Sequence, residues 1–237
     1  MKIAVVIPAA GIGKRMNTDK PKQFIEINNI PIIIKTIKLF ENMDIVDFIL
    51  IAAHRDWVSY MKNLIEKFDC KKVKEIIVGG AERQDSVDIV LRSSLIKNTD
   101  LVLIHDSVRP FVSEKLINKL IETAVDCGAA IPILPPTDSV KQIDNQGNVL
   151  KTLDRQHIGL VQTPEVFWTS IAVKSFKEAF KMKYRGTDIS SLVEFAGHKV
   201  QYVRGEANNI KITSALDLEL AKKYMALSLF DFPTKES

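Results

Sequence analysis

The feature that most constrains the fold of this chain is the regular alternation of short apolar runs with longer stretches of helical apolar spacing. Continuous apolar runs are typical of strands buried on both faces of a parallel sheet, whereas apolar residues three or four apart indicate helices packed on it. Parallel strands joined by helices form a doubly wound sheet. The sequence therefore predicts an α/β fold with a mostly parallel sheet. Strands are predicted at residues 3–7, 48–53, 76–78, 101–104 and 129–134, and helices at 31–41, 56–68, 85–96 and 114–127.

The periodicity changes after residue 136, where polar and apolar residues alternate. Two alternating segments, 139–143 and 149–153, flank the turn residues 145–147 and predict a protruding β-hairpin arm over about residues 138–158. A two-stranded ribbon is marginally stable alone, so we expect the arm to pack against a second copy of the chain. We interpret residues 1–230 as a single domain and residues 231–237 as a loose tail. After the arm, the sequence predicts helices at 170–181, 190–196 and 215–227 and a strand at 200–204 within this domain.

Composition excludes several classes of protein. The chain has 237 residues, a formal net charge of +4 and two cysteines. No apolar run approaches the ~20 residues that a membrane helix requires, so no membrane partner is expected. The basic residues are spread along the chain, which favours small phosphorylated ligands over nucleic acid. Cys70 and Cys127 lack the spacing of a metal or disulfide motif, and we therefore expect reduced thiols and a cytoplasmic protein.

The first predicted strand leads into a glycine-containing loop, PAAGIGKRM at residues 8–16. Gly11 and Gly13 let backbone amides approach phosphate oxygens closely, and Arg15 and Lys22 supply positive charge beside them. This pattern indicates a loop that binds the phosphates of a nucleotide. A dinucleotide-binding loop is a weaker alternative, because it requires a small residue where this chain has Met16. A P-loop is excluded because the segment lacks the Gly-Lys-Ser/Thr ending.

Further motifs follow the loop in order: PKQF (21–24), VGGAERQDSV (78–87), HDSVRP (105–110), DSVK (138–141), TLDR (152–155), QTPEVF (162–167), GTD (186–188) and NNIKIT (208–213). Together they resemble the 2-C-methyl-D-erythritol 4-phosphate cytidylyltransferase family over nearly the whole chain. The resemblance implies a Rossmann-like nucleotidyltransferase fold. It also implies an enzyme that transfers CMP from CTP to 2-C-methyl-D-erythritol 4-phosphate and releases pyrophosphate, a step of isoprenoid precursor synthesis by the non-mevalonate pathway. Mg²⁺ as cofactor and a homodimer formed through the arm are further implications.

Several motif residues permit two interpretations from the sequence alone. Asp106 follows a predicted strand, and ligands of open α/β sheets bind outside the carboxyl ends of strands, so it either faces the ligand and its metal or caps a turn. Lys211, flanked by Ile210 and Ile212, either contacts phosphate or is an edge lysine. Asp188 either caps a helix or contacts a ligand. His105 we expect to be a hydrogen-bonded residue at a strand end, because the four histidines show no metal spacing.

The resemblance assigns roles to individual residues. It also exposes three departures from the family pattern: Ser139 replaces the usual threonine, Ser107 and Val108 replace two alanines, and Ile189 replaces an acidic residue. The implied catalytic residues are Arg15, Lys22 and Lys211; the nucleotide-binding residues are Pro8, Ala9, Ala10, Gly11, Gly13, Gly80, Ser86 and Arg109; the acceptor-binding residues are Asp106, Ser139, Arg155, Thr163 and Thr187, with Arg155 supplied across the dimer interface and Asp106 also a metal contact.

The expected reaction needs stabilisation of charge and no general base. A phosphate monoester has a second pKa of about 6 and is already ionised at neutral pH, so its oxygen can attack the α-phosphorus directly. Cations must then stabilise the negative charge that gathers around the α-phosphate. Ribitol 5-phosphate cytidylyltransferase is the nearest alternative function, and a non-catalytic nucleotide-binding protein is a more distant one.

Overall fold

The computed structural model describes residues 1–12 and 20–226. Their elements alternate between strand and helix over most of the chain, as the sequence predicts. The strands are β1 Ile3–Ala9, β2 Glu26–Ile27, β3 Ile30–Pro31, β4 Phe48–Ala53, β5 Val73–Val78, β6 Leu101–Ile104, β7 Ala129–Leu134, β8 Val140–Ile143, β9 Val149–Leu153, β10 Leu160–Val161, β11 Glu165–Trp168 and β12 Gln201–Arg204. The helices are α1 Ile32–Glu41, α2 Val58–Lys67, α3 Arg83–Leu91, α4 Glu114–Cys127, α5 Thr169–Lys181, α6 Ser190–Phe195 and α7 Ala215–Ala226.

A central sheet of eight strands organises the molecule. Strands β5, β4, β1 and β6 lie side by side and are parallel, so their carboxyl ends meet at one edge. Strand β11 follows next and is antiparallel to both β6 and β7. Strand β7 also pairs with β12, which runs parallel to it, and with β10, which runs antiparallel to it. The predicted mostly parallel, doubly wound sheet is confirmed, with β10 and β11 as antiparallel additions.

The two faces of the sheet bury alternate residues of the same strands. In β1, Ile3, Val5 and Ile7 pack in the cluster that includes α1, α2 and α4, whereas Ala4 and Val6 face the cluster that includes α3, α5 and α6. All five side chains are fully buried. This arrangement explains why the strand is a continuous apolar run, because side chains of successive residues point to opposite faces and both faces are covered.

The strand β11 and the short hairpin of β2 and β3 are absent from the sequence prediction. Strand β11 has four residues and begins with Glu165, a charged residue that is fully buried here. Buried glutamates are rare unless they are paired, so periodicity gave no indication of a strand. Helix α3 also ends at Leu91, before the predicted end at residue 96.

The predicted arm is present as strands β8 and β9, which form a separate antiparallel sheet of two strands. Its apolar side chains are largely open to solvent in the single chain: Ile143 is 66% exposed, Val149 61% and Leu150 56%. The predicted loose tail at 231–237 lies outside the described residues. Within residues 1–12 and 20–226, no helix has both the length and the apolarity to cross a membrane.

Candidate active site

Two clefts lie beyond the carboxyl ends of the parallel strands. The nucleotide cleft is bounded by the residues that follow β1, β5 and β6, and the acceptor cleft lies beside it towards β10 and α6. Asp106, Arg83 and Lys211 line both, so these three side chains form a shared wall. Of the residues predicted to bind nucleotide or to be catalytic, the nucleotide cleft contains Pro8, Ala9, Ala10, Gly11, Lys22, Gly80, Ser86 and Lys211.

Three predicted residues are not among the described residues that line the nucleotide cleft. Gly13 and Arg15 lie outside the described residues, so their predicted roles remain predictions. Arg109 is among the described residues that line the acceptor cleft, but it is not among those that line the nucleotide cleft. Its guanidinium instead holds the wall together, because Nε donates to Asp106 Oδ2 at 3.2 Å and an Nη donates to the carbonyl of Asn209 at 2.7 Å.

The buried side chain of Gln23 holds the end of β1 and the first residues that follow it. Its Nε2 donates to the carbonyls of Ala9 and Gly11 at 2.8 and 3.0 Å. Gln23 lies in a short 3₁₀ turn, residues Lys22–Phe24, so the same turn that fixes the loop also places Lys22 in the nucleotide cleft. The backbone from Ala9 to Gly11 is therefore held by a residue within the PKQF motif that the sequence interpretation left without a role.

The turn between β5 and α3 forms the opposite side of the nucleotide cleft. The hydroxyl of Ser86 accepts a hydrogen bond from the Gly80 backbone amide at 3.1 Å, and Ser86 is almost fully buried. A Cβ on Gly79 would lie 2.6 Å from the Cβ of Ala10, so the two walls approach more closely than a side chain permits. Gly79 is therefore required by this close approach, whereas a Cβ on Gly80 would lie 2.5 Å from the Cβ of Asp85 within the same turn. The Ser86 hydroxyl holds this turn through the Gly80 amide.

Asp106 is the most strongly perturbed acid of the site. Arg83 Nε lies 3.1 Å from its Oδ1, and Lys211 Nζ and Arg109 Nε lie 2.9 and 3.2 Å from its Oδ2. Burial favours the neutral acid, but the charges of Arg83, Lys211 and Arg109 outweigh burial and hold the pKa of Asp106 well below its usual range. Asp106 is thus a buried carboxylate that three cations contact directly.

Lys211 reaches this wall because its neighbour anchors the backbone. Ile212 is fully buried in a third apolar cluster, against α7, and its amide donates to the carbonyl of Val108 at 3.0 Å. Helix α7 begins directly afterwards, where Asp217 Oδ2 accepts from the Ser214 amide at 2.8 Å and the Asp217 amide donates to Ser214 Oγ at 3.2 Å, the reciprocal contacts of a capping box. Alternation places the side chain of Lys211 on the other face, towards Asp106.

His105 and Thr163 connect β6 to the segment before β11. Because the Nε2 of His105 lies 2.9 Å from the carbonyl of Arg109, it carries the proton, and Nδ1 accepts from the Thr163 hydroxyl at 3.1 Å. The same hydroxyl accepts from the Asp106 amide at 3.0 Å. Burial lowers the pKa of His105 to about 4, against the hydrogen bond to Arg109, which raises it. His105 is therefore a neutral structural residue, as predicted.

The acceptor cleft contains Asp106, Thr163 and Thr187 of the predicted acceptor-binding residues. Its outer side is a segment that we call the acceptor loop, residues 184–190. Asp188 in this loop accepts from the Ser191 amide at 2.8 Å, as a helix cap does, and it also lines the cleft. Both interpretations of Asp188 from the sequence are compatible with this geometry.

Ser139 and Arg155 lie on the exposed arm and are not among the described residues that line the acceptor cleft. A guanidinium nitrogen of Arg155 donates to the carbonyl of Thr137, at the base of the arm. The single chain thus does not bring these two residues to the other acceptor-binding residues. Their predicted roles, with Arg155 supplied across a dimer interface, remain predictions.

The sequence interpretation missed two residues of the site, Arg83 of the shared wall and Glu165 of the acceptor cleft. Arg83 bridges two buried carboxylates, because Nε contacts Asp106 and an Nη contacts Glu165 Oε1, both at 3.1 Å. Its charge is strongly favoured, since the two carboxylates raise its pKa against the effect of burial, which lowers it. Both residues lie within motifs given above, VGGAERQDSV and QTPEVF. The charged residue in each motif was the signal that could have identified them, because a charge that becomes buried needs a partner.

The residues present fit a magnesium ion carried by the nucleotide better than an ion held by protein alone. Within residues 1–12 and 20–226, no three His, Cys, Asp or Glu side chains are grouped as metal ligands. Mg²⁺ is usually held by one or two carboxylates together with substrate phosphates. Asp106 is one such carboxylate, and it lines the nucleotide cleft together with Ala10 and Gly11.

The fold has close counterparts among solved structures. It matches the crystal structure of 4-diphosphocytidyl-2C-methyl-D-erythritol synthase from Anaerococcus prevotii with a TM-score of 0.83 and 31% identity, covering 95% of this chain and 96% of that chain. The crystal structure of 2-C-methyl-D-erythritol 4-phosphate cytidylyltransferase from Francisella tularensis matches with a TM-score of 0.80 and 32% identity, covering 94% and 99% of the two chains. The fold and the two adjoining clefts define a nucleotidyltransferase of the Rossmann-like α/β class.

Sequence comparison narrows this class to one family. The model of the family described as IspD, 2-C-methyl-D-erythritol 4-phosphate cytidylyltransferase, matches residues 3–227. The enzyme of that name from Syntrophus aciditrophicus is 39% identical over 225 residues, covering 94% of this chain and 96% of its own. The one from Bacillus licheniformis is 39% identical over 222 residues, covering 94% and 95%. The chain belongs to the 2-C-methyl-D-erythritol 4-phosphate cytidylyltransferase family and is a cytidylyltransferase.

Proposed function

We propose that this enzyme transfers CMP from CTP to 2-C-methyl-D-erythritol 4-phosphate, giving 4-diphosphocytidyl-2-C-methyl-D-erythritol and pyrophosphate. The observation that supports the proposal best is the wall of Asp106, Arg83 and Lys211 between the two clefts. A triphosphate in one cleft and a phosphorylated acceptor in the other would meet at this wall. Lys211, Arg83 and Arg109 all contact Asp106 at this wall, and their positive charges would lower the repulsion between the two approaching anions.

The proposed reaction is an in-line displacement. An oxygen of the acceptor phosphate forms a bond to the α-phosphorus of CTP, the bond from that phosphorus to the oxygen shared with the β-phosphate breaks, and pyrophosphate leaves with the electron pair. Lys22, Lys211 and Arg15 are the proposed stabilising cations. Asp106 and His105 do not suit the role of base: Asp106 is held ionised by three cations, and both ring nitrogens of His105 are already hydrogen-bonded. An acceptor that is already ionised needs no base.

Mg²⁺ is the proposed cofactor, held by the CTP phosphates and by Asp106. When bound it would neutralise part of the triphosphate charge. Lys22 would contribute to the same neutralisation from the turn that fixes the glycine loop.

A homodimer formed through the arm is also proposed. Two observations support it. The apolar side chains of β8 and β9 are exposed, and an isolated ribbon of two strands is marginally stable. Arg155 is not among the described residues that line the acceptor cleft of its own chain. Leu150→Lys should shift the protein to monomer in sedimentation equilibrium and lower turnover of the acceptor. Leu216→Lys, at an exposed position of α7, is the matched control and should leave both unchanged. A Leu150→Lys dimer of normal stability would exclude the arm as the interface.

A cytoplasmic location is proposed from the two cysteines. Cys70 and Cys127 are the only cysteines of the chain, and they are not joined. Burial raises the pKa of Cys70 to about 11, which keeps it as an unreactive thiol. Free buried thiols are typical of proteins kept in a reducing compartment.

Pyrophosphate release tests the function directly. The purified protein is mixed with CTP, Mg²⁺ and either 2-C-methyl-D-erythritol 4-phosphate or ribitol 5-phosphate, and initial rates are compared. Turnover of the first acceptor is expected. Turnover of ribitol 5-phosphate alone would reassign the acceptor and keep the cytidylyltransferase activity, whereas no release with either would contradict the proposal.

A further inference from the structure

Consecutive residues of the first turn of α3 hold the acceptor loop. Gln84 donates to the carbonyl of Tyr184 and accepts from the amide of Gly186, both at 3.1 Å. Asp85 forms an ion pair with Arg185. This turn also borders the nucleotide cleft, so the loop of one cleft is attached to a wall of the other.

Glu165 forms a further attachment at the far end of the loop. Its Oε1 accepts from Arg83 at 3.1 Å, and its Oε2 accepts from the backbone amide of Ser190 at 2.7 Å. Glu165 is fully buried in β11, and it lines the acceptor cleft beside Thr187. The single carboxylate therefore joins α3, through Arg83, to the start of α6.

We propose that Glu165, in its ionised form, is a positioning residue for the acceptor, because it holds the acceptor loop against α3 through Arg83 and Ser190 at the same time. This inference rests on the acceptor cleft assigned under the proposed function. Both partners are donors, so both oxygens of Glu165 must accept. A glutamine or a protonated carboxyl group would present a donor to one of them and lose that contact.

The charges around Glu165 make this contact sensitive to pH. Burial raises the pKa of Glu165 to about 7, while Arg83 lowers it and Asp188 raises it further. The charged groups that face it are Arg83 from α3, Asp188 from the acceptor loop and Asp106 from the end of β6, with Arg83 lying between Glu165 and Asp106. Both contacts are therefore complete above this pKa, and one is lost as the pH falls below it.

The kinetic test compares wild type with Glu165→Gln at about pH 8 and about pH 6, on either side of that pKa. At the higher pH the variant should raise the KM of the acceptor about tenfold, the size expected for one lost hydrogen bond to a charged group. The KM of CTP should change by less than about twofold. At the lower pH the ratio of wild-type to variant kcat/KM should fall towards one. Ionisation of the acceptor phosphate affects both enzymes equally and cancels in this ratio.

Two matched variants separate positioning from general loss of stability. Gln84→Leu removes the contacts of Gln84 with Tyr184 and Gly186, neither of which involves a titrating group. This variant should therefore raise the acceptor KM equally at both pH values. Thr99→Val removes a buried hydroxyl that lies 3.0 Å from Thr169 Oγ1, remote from both clefts, and should leave both KM values unchanged. A constant ratio across pH for Glu165→Gln, or an equal rise in the KM of CTP, would overturn the assignment.

Hydrogen exchange at the Ser190 amide provides a measurement that does not depend on turnover. The amide should exchange more slowly in wild type than in Glu165→Gln at about pH 8, where the carboxylate accepts from it. Equal protection would show that the contact does not hold the loop. If the wild type turns over neither acceptor, the proposed function fails while this comparison still decides whether Glu165 holds Ser190.

Discussion

Removal of the Lys211 charge should slow the transfer without unfolding the protein. The ammonium group lies 2.9 Å from Asp106 Oδ2, and the side chain is 39% exposed between the two clefts. We predict that Lys211→Gln lowers kcat by about 10²- to 10³-fold, because it removes one preorganised cation from the position where phosphate charge develops. The fold should persist, since Asp106 remains paired with Arg83 and Arg109.

The magnitude follows from the position of the lysine. A unit charge about 4 Å from a phosphoryl oxygen contributes ~4 kcal/mol at an effective dielectric constant of ~20. Partial exposure of the side chain reduces this to about 3 kcal/mol, and each ~1.4 kcal/mol corresponds to a factor of ten, so the loss is about 10²-fold or slightly more. Loss of the contact with Asp106 should lower the free energy of unfolding by no more than about 1 kcal/mol.

The assay is the initial rate of pyrophosphate release at saturating CTP and acceptor, with the melting temperature measured on the same samples. Lys222→Gln is the matched control, because Lys222 also forms a lysine–carboxylate pair, 2.7 Å from Glu219 Oε1 on α7, but lines neither cleft. It should retain wild-type kcat. The reasoning is refuted if Lys211→Gln keeps kcat within about threefold of wild type, or if the control loses as much activity.

Two stability predictions follow from buried groups. His105 has a pKa of about 4 in the native state but about 6.5 when unfolded, so the free energy of unfolding should rise by about 3 kcal/mol as the pH rises from about 4 to about 6.5. Urea titrations of His105→Gln should show a flatter dependence of this free energy on pH. An unchanged slope would contradict the lowered pKa. Gly79→Ala places a methyl group 2.6 Å from Ala10 Cβ and 2.8 Å from Ser86 Oγ, so it should lower the free energy of unfolding by about 1 to 3 kcal/mol. Gly11→Ala is the control and should lower it little, because a methyl group there meets nothing within 4 Å. Equal melting temperatures for the two variants would disprove the close approach.

The sequence predicted those parts of the fold that are determined locally. Strand β1 was predictable because its residues are buried on both faces, and the arm was predictable because alternation and a turn occur in one short segment. The edge of the site was also predictable, because the residues after β1, β5 and β6 meet where parallel strands end.

Strand β11 and the contacts of Arg83 were beyond this reasoning, because they depend on pairs distant in sequence. Glu165 is 82 positions from Arg83, and only the fold shows that a charged residue is tolerated in a buried strand by that arginine. Gln84 and Gly186, 102 positions apart, present the same difficulty. Spacing within a motif identifies residues that share a local segment, but it carries no information on which segments meet.

The position of β11 has a consequence for the order in which the chain can fold. Within the described residues, no backbone pairing joins β6 directly to β7, and β11 pairs with both. A growing chain can assemble β1, β4, β5 and β6 from its first 104 residues, since these strands pair only with one another and with β11. Strand β7 emerges next but has no place in that sheet until residues 165–168 have been made. The nucleotide cleft can therefore be largely built during synthesis, while the acceptor cleft must wait for a later strand to be inserted between two earlier ones.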